Sequence, residues 1–450
     1  MMATKEGVDS SRKLDLQKFH VSYDTGLMLK DPLKELPPYF REWNRIAESL
    51  PQLVKQKILR EEVHKMPLLD HRKLEGYRQK RLAHLQLCFI TAGYVWQDGD
   101  KGVTKTLPKC VAVPFYAISE ELGIKPILGH VDLALANWRL INPSGPYEFE
   151  NLECLYHLPG EAAGDWFCIV TFMVEFSFAK CLKPLANIFD LLPKAHHQKL
   201  QDSTGLNETV NEIASLLGEV TTVIHLMQSS LARMHDKLEA KTFFNLIRPF
   251  LGGWGGADNP LPDGLIYEGV SDQPIKMTGG SAAQSTTLQV VDALLGVKHT
   301  QDKKDFLTTM RCFMPPDHKS FIEDLENRQF KLRDLVLSTN SERLQSAYNK
   351  CVTALIDLRT YHIKIVTKYI VQASQTMNEG NYESLDKKGT GGTSLIPFLK
   401  DIRTDTKVRI VPETDTKVQH KRPNFSLKFG AVAVLSSIVI AVAVKIFTQK

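Results

Sequence analysis

The stretch LRTYHIKIVTKYI, residues 358–370, decides how the rest of the chain is interpreted. No proline or glycine interrupts it, and its apolar residues recur at the spacing of an amphipathic helix. His362 lies in this stripe, with Arg359 one helical turn before it. One interpretation is a core histidine bonded to a nearby carbonyl, with the arginine reaching water. The other is an imidazole ligand of a metal or a haem iron, with the guanidinium placed to meet an acidic group of the cofactor.

The composition is that of a globular protein of moderate charge. At 450 residues the chain is long enough for one large domain or two, with 43% hydrophobic and 24% charged residues. The net charge of +5 is small for this length and no basic block with interleaved aromatics occurs, so no nucleic acid partner is expected. Seven scattered cysteines without a C-x-x-C pair indicate a reduced, cytosolic protein body.

Proline and apolar runs predict how the chain is divided. Residues 1–15 are polar and expected to be disordered, and residues 16–140 predict a small, mostly helical N-terminal domain broken by prolines. Residues 141–403 predict a large all-helical domain, because long amphipathic patterns begin there. WFCIVTFMVEFSFAKCLKPLANIFDLL predicts one or two buried helices, and LNETVNEIASLLGEVTTVIHLMQSSLARMH predicts another. A loop rich in glycine and proline covers 251–281, and a loop of that length inside a domain is usually functional.

The C-terminus carries FGAVAVLSSIVIAVAV, residues 429–444, without a charged residue. As a helix it spans ~24 Å, short of a ~30 Å hydrocarbon core, and the flanking apolar residues and lysines extend it. A buried core helix is the alternative. We expect a tail-anchor transmembrane helix at 425–447, after a polar linker at 404–424 in which TDTKV occurs twice. With no signal peptide, this helix would hold a cytosol-facing protein on the mitochondrial outer membrane or the endoplasmic reticulum.

Common enzyme signatures are missing from the sequence. There is no H-E-x-x-H and no G-x-S-x-G, and GTGGT at 389–393 lacks the Lys-Ser/Thr pair of a phosphate-binding loop. Histidine pairs such as His196 and His197 lack further metal ligands and are interpreted as solvated. From the residues alone, the chain is a large helical protein, with a buried ligand suggested by the histidine helix.

The order of several motifs resembles the indoleamine 2,3-dioxygenase family. They are RLAHLQLCFITAGYVWQDG, LPKCVAVPF, PILGHVDLALANW, FFNLIRPFLGGW, GLIYEGV, GGSAAQS, MPPDHKSFIEDL, LRTYHIKIVTKYI and KGTGGTSLIPFLK. The resemblance runs from about residue 16 to 403. It implies a mainly α, two-domain, monomeric haem b enzyme. Such an enzyme inserts both atoms of O2 across the indole C2–C3 bond of L-tryptophan, giving N-formylkynurenine, the first step of the kynurenine pathway. The alternative is a non-enzymatic haem, oxygen-binding or signalling protein on the same fold.

The resemblance assigns cofactor and substrate residues one by one. By it His362 is the proximal ligand of the haem iron, and Arg359 meets a haem propionate while pairing with Asp292. An ordinary surface salt bridge is the other interpretation of that pair. A guanidinium suits the carboxylate of an amino acid, and aromatic rings pack on an indole. The substrate residues carried over are Phe243, Arg248, Leu251, Phe167, Ser281, Ala282 and Thr390, of which Thr390 helps to hold the substrate ammonium. Without the family, Phe167 and Phe243 are simple core residues.

Two positions depart from the efficient members of the family. His130 stands where they have a tyrosine and Thr171 where they have a serine, as in the second vertebrate paralogue and ancestral forms. Such changes beside a flat substrate cost ~1–3 kcal/mol of transition-state binding, so high affinity for tryptophan is not expected. A membrane-bound electron donor of the cytochrome b5 type is the expected reductant. LIYEGV fits an immunoreceptor tyrosine-based inhibitory pattern, although a structural Tyr267 is the favoured interpretation.

Overall fold

The computed structural model describes residues 13–201, 204–376 and 395–412, and these residues are mainly helical. The first helices are α1 (Arg41–Glu48), α2 (Leu50–Lys55), α3 (Leu59–Lys65), α4 (Gly76–Trp96), α5 (Lys109–Leu122) and α6 (His130–Leu133). Next come α7 (Ala162–Ala179), α8 (Leu182–Leu200), α9 (Leu206–Ala232), α10 (Met234–Lys237) and α11 (Ala240–Thr242). The last are α12 (Thr286–Leu295), α13 (Gln301–Met310), α14 (Pro316–Asn327), α15 (Leu332–Ser338), α16 (Glu342–Val366), α17 (Ala373–Thr376) and α18 (Leu395–Lys407).

Short strands form two small sheets. β1 (Thr106–Leu107) pairs in parallel with β4 (Ile266–Tyr267), and β2 (Trp138–Leu140) pairs antiparallel with β3 (Leu152–Cys154). Tyr267 of β4 is fully buried, and its hydroxyl donates a hydrogen bond of 2.8 Å to the carbonyl of Pro126. In the folded protein this tyrosine is therefore a structural residue, closed to a modifying enzyme.

The histidine stretch is helical, as its periodicity predicts. α16 begins where the hydroxyl of Ser341 accepts a hydrogen bond from the amide of Leu344, and its apolar stripe packs on α9. After Val366 the helix widens into a π-helical segment, Thr367–Gln372, before α17. Such segments are frequent at functional sites.

The apolar run after residue 162 forms two helices, α7 and α8, which break at Lys180 and Cys181. The span 162–200 is, among the described residues, the one helical stretch long and apolar enough to cross a membrane by length and composition alone. More than half of its most apolar window, 56%, is buried inside the protein. Two hydrophobic clusters share these helices, and α8 belongs to the second of them. We therefore interpret α7 and α8 as core helices.

The long loop at 251–281 folds back on itself, because two glycines permit a close backbone approach. A Cβ on Gly253 would lie 2.3 Å from the carbonyl of Met277, and one on Gly279 would lie 2.3 Å from the carbonyl of Leu251. The amide of Gly280 also donates to the Leu251 carbonyl at 3.0 Å. Leu251 and the GGSAAQS segment are thus held side by side.

The structure differs from the predicted boundaries at both ends of the described chain. Leu14 is buried and its amide donates to Asp190 at 2.8 Å, so order begins before residue 16. α18 runs to Lys407, so the first TDTKV copy lies in its last turn and just beyond instead of opening a linker. The chain through Val411 groups as one unit, and the boundary predicted at 140 stays a prediction. The second TDTKV copy and the tail at 425–447 lie outside the described residues.

Candidate functional site

One cavity, of about 290 Å³, collects the residues that the sequence singled out. Its walls come from α6, α7 and α16 and from the segment after α11, and its volume is at the lower end for ligand sites. The predicted cofactor and substrate residues that line it are His130, Phe167, Thr171, Phe243, Arg248, Leu251, Ser281, Ala282, Arg359 and His362. Asp292 does not line the cavity, and Thr390 lies outside the described residues.

His362 faces this cavity from α16. Within the described part of the chain, no hydrogen bond involves either nitrogen of its ring. Burial, with a smaller contribution from the positive charge of Arg359, lowers the pKa of His362 to about 4. The imidazole is therefore neutral near pH 7, which is the form that ligates a metal. A neutral histidine on an apolar cavity fits the axial ligand of a haem iron.

Arg359 lies one turn from His362 and is held by a buried carboxylate. Its Nη2 donates to both oxygens of Asp292, at 2.8 and 2.7 Å, and its Nη1 donates to the hydroxyl of Thr406 in α18. Burial opposes the charge of Asp292, but the charges and hydrogen bonds of Arg359 and His299 keep its pKa below the ordinary value. Since Arg359 and Asp292 are each only 8% exposed, this is a buried ion pair and not a surface salt bridge.

An aromatic wall and a guanidinium form another side of the cavity. Phe243 begins a π-helical segment, Phe243–Ile247, and its ring centroid lies 5.2 Å from that of Phe167 and 5.9 Å from that of Tyr369. Arg248 follows that segment and is 1% exposed, with its guanidinium carbon 5.2 Å from the centroid of the Phe244 ring. This wall can hold a flat apolar group beside an anionic one.

Glu175 is a functional candidate that the sequence reasoning missed. It is fully buried in α7, and its carboxylate accepts from Nε2 of His130 at 2.9 Å, from the Ser285 hydroxyl at 2.8 Å and from the Thr287 hydroxyl at 2.6 Å. Burial raises its pKa, but these hydrogen bonds and the His130 charge outweigh it, so the pKa of Glu175 is lowered. Its signal in the sequence is a lone charge within an otherwise apolar run, WFCIVTFMVEFSFA.

Gln284 was missed as well, although it lies inside the GGSAAQS motif. Its side-chain oxygen accepts from the amide of His130 at 3.1 Å and from the amide of Ser281 at 3.3 Å. Its side-chain nitrogen donates to the carbonyl of Gly279 at 3.0 Å. One buried amide therefore fixes the position of α6 relative to the GGSAAQS segment.

His130 and Thr171, the two positions that the sequence analysis singled out as unusual, each make a hydrogen bond to the protein. The His130 ring bonds Glu175, and the Thr171 hydroxyl donates to the carbonyl of Phe167 at 2.8 Å. In this arrangement Thr171 has no hydroxyl hydrogen left to donate to a ligand. The effect of Thr171 on a substrate is therefore mainly one of shape.

The comparisons with known proteins agree on one family. The chain matches the family model described as "Indoleamine 2,3-dioxygenase" over residues 15–409. Human "Indoleamine 2,3-dioxygenase 2" is 41% identical over 411 residues, which cover 89% of this chain and 97% of that protein. Rat "Indoleamine 2,3-dioxygenase 1" is 39% identical over 408 residues, covering 89% and 96%. A protein of the abalone Haliotis madaka named "Myoglobin" is 45% identical over 395 residues, covering 88% and 98%.

We predict that His130→Phe destabilises the protein by about 1–3 kcal/mol near pH 7, because it removes the ring nitrogen that donates a hydrogen bond to the buried Glu175 carboxylate. The folded-state pKa of Glu175 is lowered, so the pair stabilises the wild type above the unfolded pKa and its contribution is lost as the pH falls through the folded value. In urea unfolding curves, the difference in stability between variant and wild type should shrink as the pH falls through the lowered folded-state pKa of Glu175.

Two comparisons make this prediction specific. Adding Glu175→Gln to His130→Phe should recover part of the lost stability, since it removes the unpaired charge. Thr171→Ser, which keeps the same hydroxyl, should cost much less. A His130→Phe variant as stable as the wild type at neutral pH would contradict the pairing.

Proposed function

Since the chain belongs to the indoleamine 2,3-dioxygenase family, whose enzymes depend on haem and use O2, we propose that it oxidises L-tryptophan or a related indoleamine. The reaction would insert both oxygen atoms across the indole C2–C3 bond and give N-formylkynurenine from tryptophan. The observation that carries the proposal is the meeting, on one cavity, of a neutral histidine, a buried guanidinium and two aromatic rings.

The residues around His362 fit a haem. His362 would ligate the iron, and Arg359, oriented by Asp292 and Thr406, would bind a propionate. Bound haem supplies the ferrous iron at which O2 reacts with the indole ring. The protein contributes a fixed imidazole, a positive charge for the acidic edge of the cofactor and an apolar enclosure that excludes water.

The substrate would be held by its two ends. Arg248 would bind the amino-acid carboxylate, and Phe167 and Phe243 would pack against the indole. Thr390, proposed from the sequence pattern alone, would help to hold the ammonium group. The proposed reaction requires no side chain on the cavity as a general base. The protein would contribute by orienting the substrate.

A second candidate function is reversible oxygen binding without catalysis. It is favoured by the identity of 45% to the abalone protein named "Myoglobin". Against it, an oxygen carrier has no need of a buried arginine beside an aromatic wall. A product assay on the reduced protein separates the two functions, because formation of N-formylkynurenine requires the dioxygenase reaction.

We also propose that the C-terminal segment 425–447 anchors the protein in a membrane, with the haem domain in the cytosol. The proposal rests on the uncharged run between Lys428 and Lys445, whose length and flanking lysines suit the mitochondrial outer membrane or the endoplasmic reticulum. Either membrane would bring the cavity near an electron donor such as a membrane-bound cytochrome b5-type protein.

If segment 425–447 anchors the protein, membrane attachment should depend on that segment. Full-length protein should stay with the membranes during carbonate extraction. Protein truncated after Arg422 should be released, with unchanged activity in the presence of a soluble reductant. Recovery of the full-length protein in the soluble fraction would show that this segment anchors nothing.

We predict that His362→Ala abolishes stable haem binding, because the other imidazole in the described cavity lining, that of His130, is hydrogen-bonded to Glu175. The measurements are the haem content and the absorption spectrum of the purified protein. The matched control is His235→Ala, since His235 stacks on the cavity residue Tyr369 but does not itself line the cavity. An unchanged spectrum in the His362 variant would refute the assignment.

We predict that Arg248→Ala raises KM for tryptophan sharply and changes the kinetics with tryptamine, which lacks the carboxylate, much less. Losing a charge-assisted, bidentate contact costs roughly 1.5–3 kcal/mol of binding. Arg248→Lys should fall between, because lysine keeps the charge but not the planar fork. Equal losses with both substrates would argue against a carboxylate contact.

A further inference from the structure

A second cavity, of about 740 Å³, lies where the N-terminal segment meets the start of α4 and α14. We call it the N-terminal cavity, and it shares no lining residue with the haem cavity described above. Much of its wall is aliphatic, including Leu16, Val21, Leu27 and Leu135. Most of the other lining residues are polar or charged, so the cavity offers an apolar surface beside hydrogen-bonding groups, as ligand sites do.

Three buried side chains on this cavity lack a hydrogen bond that their chemistry demands. Thr25, Arg81 and His318 are 3%, 3% and 5% exposed. Within the described residues, Oγ1 of Thr25, Nε of Arg81 and Nδ1 of His318 have no hydrogen-bond partner. Buried polar atoms are nearly always paired, so three such atoms in the wall of one cavity indicate a missing partner.

All three groups can act as donors. The Nε of an arginine always carries hydrogen, and a threonine hydroxyl can donate. Burial, with the nearby charge of Arg81, lowers the pKa of His318 to about 4, so near pH 7 its ring is neutral and can donate from one nitrogen. A carboxylate, which only accepts hydrogen bonds, complements such a set.

The charge of Arg81 is only partly matched by the protein. Its Nη1 donates to the Tyr77 hydroxyl at 3.2 Å and its Nη2 to the carbonyl of Val131 at 2.9 Å. Its nearest carboxylate oxygen, on Asp132, is 3.9 Å away and is shared with His84, whose ring nitrogen lies 2.8 Å from it. A buried guanidinium with so distant a counter-ion attracts a further anion.

The other charged groups limit how much negative charge the cavity accepts. Lys30 and Arg78 also line it, but so do Asp15 and Asp24, and Arg78 is paired with Asp31 at 2.8 Å. With apolar walls and two carboxylates in the lining, a singly charged ligand with a hydrophobic body fits better than a phosphate dianion.

We propose that the N-terminal cavity binds a small monocarboxylic acid with a hydrophobic body. Arg81 receives the carboxylate, Thr25 and His318 supply further hydrogen bonds, and the aliphatic wall covers the body. The site is separate from the one proposed for the substrate, because the cationic group there is Arg248 and no lining residue is shared.

The test uses phenylacetate and its neutral analogue phenylacetamide, titrated into full-length, haem-loaded protein by calorimetry. We expect one equivalent of phenylacetate to bind without shifting the haem absorption band, and the amide to bind at least tenfold more weakly, since it offers no charge to Arg81. Absence of phenylacetate binding would mean that water alone fills the cavity and would overturn the proposal.

Variants then locate the bound acid. Thr25→Val should weaken binding about tenfold, and Arg81→Lys should also weaken it because the fork is lost. The matched control is Thr209→Val, which removes a hydroxyl that is equally buried and equally unpartnered but outside the cavity. Binding that survives Thr25→Val, or that disappears in Arg248→Ala, would place the acid elsewhere and refute the site. If Arg81→Lys does not fold, the comparison of Thr25→Val with Thr209→Val is the deciding test.

Discussion

The buried ion pair between Arg359 and Asp292 is the constraint on which the rest of the site depends. It joins α16 to α12, and through Thr406 it also fixes α18. Breaking a buried pair by removing one partner costs about 3–5 kcal/mol, so the three helices have little freedom to shift relative to one another. Because His362 is one turn from Arg359 on the same helix, the register that satisfies the pair also turns the imidazole toward the cavity. His362, the residue that we propose as the haem ligand, is thus positioned by a charge interaction made beside the cavity.

A second buried carboxylate, that of Glu175, also holds together elements that line the cavity. Glu175 ties α7 to His130 and to the two hydroxyls near the start of α12. The carboxylates of Asp292 and Glu175 both accept hydrogen bonds from protein groups. Neither therefore needs a ligand or a water molecule in the cavity as a partner. The surface that remains for a substrate is mostly aromatic and aliphatic, with a guanidinium at one end. Such a surface suits a reaction in which the cofactor performs the chemistry and the protein sets the orientation.

The sequence was sufficient to predict those elements and site residues that a local pattern of residues identifies. Helical periodicity gave α16 and α9, and the family motifs named the residues that line the cavity. It failed where the partners are distant in the chain: His130 and Glu175 are 45 residues apart, and no periodicity reports their pairing. The sequence prediction was also wrong for the first TDTKV copy, whose polar residues indicate a linker. Asp405 pairs with Lys303 and His299, so those polar residues make a helix end stable by finding charged partners.

The same long-range pairing bears on how substrates are selected. The family resemblance implies a tyrosine at the position of His130 in efficient members, and a phenol could donate to Glu175 only through its single hydroxyl at the end of a longer side chain. A replacement of His130 must keep a donor within reach of the buried Glu175 carboxylate, so substrate fit and folding stability are coupled at one side chain. Thr171 is under no such constraint, because a serine there would keep the hydrogen bond to Phe167 and remove only a methyl group. A change of indole preference is thus expected to begin at Thr171, where it costs little stability, and to reach His130 only when the new residue still donates to Glu175 or when Glu175 changes with it.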